Sequence, residues 1–330
     1  MMAKLSNNWL KAARVLVLIT LFVLLWRSFD GASALILMRD AELGWLILAA
    51  MVLAVQTLVS AARWRLTAGK VGVEIGVGFA VREYFLGQVI NLSLPGGVVG
   101  DGGRAYRSRQ SRGFLVAGQA VIFERVAGQL GLIFVFLCGL GLSLLSSANE
   151  FWPAWLESTI VWLLTALVAT PLVLAAGLHL FGKQTRALRR LLGRLARAIF
   201  AKDVVLKQVS LSISTATLNV SAFALCGVAL GISMPIWGVA TLLPLTLLAM
   251  LVPISVSGWG VREGAAAILL PVLGATSSEG LAASVLFGLC FLASTVTGFI
   301  VCYALKYRAI GGGSVREPER IEPQPAVSDA

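Results

Sequence analysis

Charge is scarce in this sequence: 13% of its 330 residues are Asp, Glu, Lys or Arg, against 58% hydrophobic ones. That shortage excludes an ordinary soluble domain and leaves an integral membrane protein. Histidine occurs once, at His179 near the end of an apolar run, with no second candidate ligand nearby. A zinc site or a Ser-His-Asp hydrolase is therefore unsupported. The four cysteines, Cys138, Cys226, Cys290 and Cys302, sit inside apolar runs without paired metal spacing and read as small core residues. No G-x-x-x-x-G-K-[ST] and no G-x-G-x-x-G after a strand is present, so nucleotide binding is unsupported. No metal and no cofactor are expected.

Long apolar runs are plentiful, at about 15–29, 43–62, 114–146, 159–181, 208–230, 236–252 and 281–305. A helix needs roughly 17–25 such residues to cross a bilayer. Within lipid the backbone must satisfy its own hydrogen bonds, which makes helices the plausible spans. The fold class is an all-α polytopic membrane protein with about six full spans and two interrupted segments, 71–112 and 236–274.

The net charge of +11 looks like a nucleic-acid signal until the cations are located. Lys4, Lys11 and Arg14 precede the first span, and Arg63, Arg65 and Lys70 follow the second. Arg104, Arg107, Arg109 and Arg112 precede the next, and Lys183 to Lys207 holds eight basic residues and one acid. The connections around 30–42, 149–158 and 274–280 carry Asp30, Asp40, Glu42, Glu150, Glu157 and Glu279 against Arg39 alone. The positive-inside rule puts the first group in the cytoplasm and the second outside, with both termini cytoplasmic. No nucleic-acid partner is expected. Residues 1–34 have two readings, a retained span or a signal peptide cleaved after Ala32-Ser33-Ala34.

Residues 186–201 place Leu188, Leu191, Leu192, Leu195 and Ile199 at helical spacing with arginines between them, the pattern of an interfacial helix on the anionic inner leaflet. Residues 309–330 read as a disordered cytoplasmic tail, leaving 1–308 as the membrane domain.

The two interrupted segments share a frame. The first runs from Pro95 through Gly100 and Gly102 to Arg104, the second from Pro253 through Gly258 and Gly260 to Arg262, both as P-x4-G-x-G-x-R. Proline withholds a backbone donor and glycine permits turns, so each segment reads as a broken helix that enters and returns, the two from opposite faces as an inverted repeat. The competing reading is that these residues only help helices pack and turn.

Glu124 and Arg125 lie inside the long run 114–146, and Arg262 and Glu263 inside the second interrupted segment. A charge at the bilayer centre costs on the order of 2.5–3.5 kcal/mol on insertion scales, so such residues face a protein interior or a wet cavity and pair there. Helix neighbours point about 100° apart, so neither adjacent pair is expected to satisfy itself. The candidate binding residues are Asn91, Asp101, Arg104, Glu124, Arg125, Arg262 and Glu263. Arg104, Arg125 and Arg262 would line one polar cavity for an anionic headgroup, the acids serving as competing partners. The alternative is a set of structural ion pairs.

Taken together, Ala62-Arg63-Trp64-Arg65, Asn91 to Gly97 with Gly100 to Arg104, Glu124 to Gly128, and Pro253 with Gly258 to Gly264 resemble the lysylphosphatidylglycerol synthase transmembrane-region family, also called flippase-like domain proteins. The resemblance covers about residues 10–305. It implies a flippase that moves aminoacylated phosphatidylglycerol between leaflets, fused in its best-understood members to a cytoplasmic synthase domain. About two dozen residues follow Lys306, so the synthase activity is not carried over. The expected function is a bacterial inner-membrane lipid transporter and not an enzyme. The alternatives are a scaffold for envelope-biosynthesis enzymes working through 186–201, or a membrane enzyme acting on lipid phosphates through Glu124 or Glu263.

Overall fold

A computed structural model describes residues 27–93, 98–109, 112–146, 152–180, 186–251 and 259–311. Every regular element among them is helical. In chain order they are α1 (Gly31–Arg39), α2 (Leu43–Lys70), α3 (Val77–Ser93), α4 (Val99–Arg107), α5 (Phe114–Leu145), α6 (Ala154–Leu180), α7 (Arg186–Phe200), α8 (Val205–Val228), α9 (Ile236–Leu248), α10 (Val261–Leu269) and α11 (Ser277–Gly311). Short 3-10 turns extend α9 and α10.

Five of these, α2, α5, α6, α8 and α11, are long and apolar enough to cross a bilayer, and they answer to five of the expected spans. The first expected span, 15–29, falls almost wholly outside the described residues, as does the tail beyond Gly311. The run 236–252 is not a full span but the 13-residue α9 and its 3-10 turn. Each interrupted segment is a pair of short helices, α3 with α4 and α9 with α10. Their junctions, with Pro95, Pro253 and Gly258, lie outside the described residues.

Lipid tails are as apolar as leucine side chains, so close packing rather than exclusion from water holds membrane helices together. Helix α2 packs along α8, and α5 lies against both α8 and α9, while α11 touches α1, α2, α3, α8 and α10. At the α8/α11 contact the rings of Phe223 and Phe287 stack with centroids 5.0 Å apart. At α5/α9, Pro244 cannot donate to the Ala240 carbonyl, and that oxygen instead abuts Gly139. Helix α6 is peripheral: Leu156 and Ile160 are buried near its start, and most of the rest is exposed.

Candidate functional site

Helix α2 does not stop where its apolar run does. It continues to Lys70, which brings Arg63 inside the bundle rather than into a cytoplasmic loop. There the Arg63 Nε and Nη2 donate to Glu124 Oε1 of α5 at 3.1 and 2.6 Å. The Tyr84 hydroxyl of α3 donates to the same oxygen at 3.0 Å. Helix α4 contributes Arg104, whose Nη2 donates to Asp101 Oδ1 at 2.8 Å, one turn back, and reaches Glu124 Oε2 at 3.5 Å. The Arg104 guanidinium packs against two rings, its Cζ 4.7 Å from the Trp64 centroid and 4.3 Å from that of Tyr84. Arg125 pairs with the other oxygen of Asp101, and its side chain is 49% exposed. Beside this group, Glu83 of α3 pairs with Arg82 and Arg107. Glu124 and Arg125 thus pair with other helices and not with each other.

Helix α4 reaches this position because Gly100 lets it lie directly on α3. A Cβ at Gly100 would overlap the carbonyl oxygen of Gly87. The Gly100 N–H donates to Asn91 Oδ1 at 2.7 Å, satisfying one of the donors that a helix start leaves over. Asn91 therefore anchors α4 by this bond. Gly100 and Gly102, expected in a turn, both lie inside α4.

The cluster is buried and unevenly satisfied. Five arginines meet three carboxylates, at 83, 101 and 124: Arg63 and Arg104 are buried with the acids, while Arg82, Arg107 and Arg125 stand part-exposed at the rim. Arg63 Nη1, Trp64 Nε1, and Arg104 Nε and Nη1 are buried without a hydrogen-bond partner among the described residues. All four atoms are donors; the acceptor Asp101 Oδ2, also without a hydrogen bond among the described residues, faces Arg125 in an ion pair. Leaving buried donors unpaired costs on the order of 1–3 kcal/mol each, more for charged groups, so the cluster favours an added acceptor.

The second interrupted segment builds a different object. Gly260, at φ 89°, a backbone region that favours glycine, precedes α10. Its N–H donates to Glu263 Oε2 at 2.6 Å. Arg262 donates through Nε to Ser284 Oγ at 2.9 Å, and through Nη2 to the Ser284 carbonyl at 3.1 Å and to Glu263 Oε1. The adjacent pair does satisfy itself here, against expectation, because Ser284 and the Gly260 N–H fix both side chains from opposite sides. The shared frame also slips: Val99, the first residue of α4, aligns with Ser257, whereas α10 begins four residues later at Val261.

The seven predicted residues therefore form two sites and not one cavity. Along α11, Ser284 holds Arg262, while Gly298 meets the ring of Phe85, the neighbour of Tyr84. Fourteen residues of helix separate those two levels, about 21 Å at the usual rise. Sequence reasoning missed Arg63, Trp64, Glu83, Tyr84 and Ser284. Arg63 and Trp64 stood inside a quoted motif but at the end of an apolar run, where cations are ordinarily solvent-facing.

A bundle of long apolar helices around buried charge defines a multi-pass membrane protein. The family model for the lysylphosphatidylglycerol synthase TM region matches residues 11–298, and the chain belongs to that family. This relates it to lipid handling in the membrane. No curated protein matches the chain.

Proposed function

We propose that the protein binds the anionic headgroup of a membrane lipid at the Arg63, Arg104 and Glu124 cluster and moves that lipid between the leaflets of a bacterial inner membrane. The observation that carries this is the set of buried donors on Arg63, Trp64 and Arg104 that lack acceptors among the described residues, beside the half-exposed Arg125 at the rim. A phosphodiester supplies the missing acceptors, and the planar guanidinium of Arg104 suits its oxygens. Glu124 and Asp101 compete for the same arginines, which keeps the headgroup exchangeable. Half-exposed Arg125 makes the first contact, and no covalent bond is made or broken.

In this reading α3/α4 and α9/α10 enter the membrane and return from opposite faces, the arrangement of transporters with inverted repeats. The basic ends of α2, α4 and α7 face the cytoplasm together with both termini. Helix α7 lies on the inner leaflet, its arginines among lipid phosphates. Envelope-biosynthesis enzymes would be served by the lipid delivered outside.

The test is movement of a fluorescent anionic lipid in proteoliposomes, with a zwitterionic lipid as control. Arg104→Gln is expected to lower the anionic rate at least about tenfold, the equivalent of one charge-assisted contact. Wild-type rates in a folded Arg104→Gln protein would refute the site. Loss of cellular function on neutralising Arg189, Arg194 and Arg197, with Arg104 dispensable, would favour the scaffold reading instead.

A further inference from the structure

A groove of about 1020 Å³ opens where the end of α2, residues 73–76 and the start of α8 meet. That volume matches pockets which enclose small molecules, roughly 300–1,000 Å³. Arg65, Lys70 and Lys207 line it, and no charged residue of either cluster does. One acid, Glu74, shares the lining with them. Arg65 is held in place by its Nε, which donates to the Ile75 carbonyl at 3.1 Å. Among the described residues its two terminal nitrogens make no hydrogen bond, which leaves them for a ligand. Lys70 is held at the groove's edge by Asp203, whose carboxyl the Lys70 hydrogen bond keeps below its ordinary pKa. Lys207 makes no ion pair among the described residues.

The groove continues into an apolar lane. Arg65 and Gly69 lie on the same face of α2 as Met51, Val55, Leu58 and Ala62, spaced three and four residues apart. Met51, Val55 and Leu58 are 55%, 48% and 45% exposed. At the groove itself, Leu206 at the start of α8 is 77% exposed. Cations at one end of an exposed apolar stripe, at the level where a span leaves the membrane, match the shape and charge of a phospholipid.

We infer that this groove is a separate docking site for one anionic phospholipid, its phosphate among Arg65, Lys70 and Lys207 and an acyl chain along Met51, Val55, Leu58 and Ala62. The buried face of α2, with Arg63 and Trp64, turns the other way, so the groove and the polar cluster sit on opposite sides of one helix. A lipid held here stands next to the cluster without occupying it.

Native mass spectrometry of the full-length protein titrated with phosphatidylglycerol tests this. Two variants attack the groove by different means. Arg65→Gln with Lys207→Gln removes charge, and Gly69→Leu fills open space, since a Cβ at Gly69 has nothing within 4 Å. Both are expected to weaken one phosphatidylglycerol-binding event about tenfold, whereas Arg104→Gln leaves that event in place. Unchanged binding in Gly69→Leu, which keeps every charge and every packing contact, overturns the proposal. So does displacement of the lipid by the soluble headgroup glycerophosphoglycerol, which would make the groove a site for free phosphate esters. Equal loss of phosphatidylcholine and phosphatidylglycerol also overturns it, because the cations would then not select.

Discussion

Arg104 and Arg262 hold the same place in the shared sequence frame, both are buried to within 3% exposure, and they differ in how their hydrogen bonds are met. Arg104 meets a carboxylate from α5 and rings from α2 and α3, and two of its nitrogens have no acceptor among the described residues. Arg262 also faces two rings, Trp259 at 5.1 Å and Phe287 at 5.2 Å, but its donors go to its own neighbour and one serine, and that serine also donates to the same carboxylate at 3.3 Å. The first arrangement gathers four helices around donors that still need acceptors. The second fastens the start of α10 to α11. The contrast assigns ligand chemistry to the first and anchoring to the second, although the sequence writes both as G-x-R.

The largest effect is expected at Glu124. Glu124→Gln strips the charge that compensates Arg63 and Arg104, and breaking a buried pair in this way costs about 3–5 kcal/mol. Thermal unfolding in detergent should show a clear drop in the midpoint. An unchanged midpoint would mean that the cluster does not hold α2, α3, α4 and α5 together. Arg262→Gln should cost less, about 1.5–3 kcal/mol for hydrogen bonds to a charged group, because Glu263 keeps the Gly260 N–H and Ser284. Lipid binding per folded molecule should survive, and its loss would place Arg262 in the ligand site after all.

Two glycines in α4 separate close approach from mere flexibility. Gly100→Ala pushes a methyl into the Gly87 carbonyl and should cost about 1–3 kcal/mol, with transport falling as Arg104 shifts. Gly102→Ala meets nothing within 4 Å and should be neutral or gain up to about 1 kcal/mol of helix propensity. The smallest effect concerns pH. Asp203 is held ionised by Lys70, so its folded pKa lies below the unfolded one. The resulting tie between the end of α2 and the turn before α8 is present at neutral pH and is lost as pH falls through that lowered value. Phosphatidylglycerol binding in the groove should therefore stay flat on mild acidification.

Much of the fold was legible because hydropathy is local. The five long helices coincide with apolar runs, and Glu124 stood out as a charge that lipid does not tolerate. The site was legible only in part. Arg63 looked like a loop cation because its run ends at residue 62, yet nothing after Leu58 stops a helix before Gly69, and the partner that draws it inward lies 61 residues away. Glu83 and Tyr84 carried no signal at all, since their importance comes from where α3 rests. For Arg262 and Glu263 the helical-wheel argument pointed the wrong way, because it ignored a third residue on α11 able to hold both.

By itself the sequence determined that this chain enters a bilayer as helices, where the long ones run, where two segments are interrupted, and which charges stand in costly places. Those are sums of transfer energies and backbone rules over neighbouring residues. Only the tertiary structure decided which charges meet, that Arg262 and Phe85 touch α11 at levels about 21 Å apart, at a rise of 1.5 Å per residue, and that among the described residues one cluster keeps buried donors without acceptors while the other pairs its arginine and acid. Ion pairing depends on the distance between side chains, and that distance is set by how helices far apart in sequence pack.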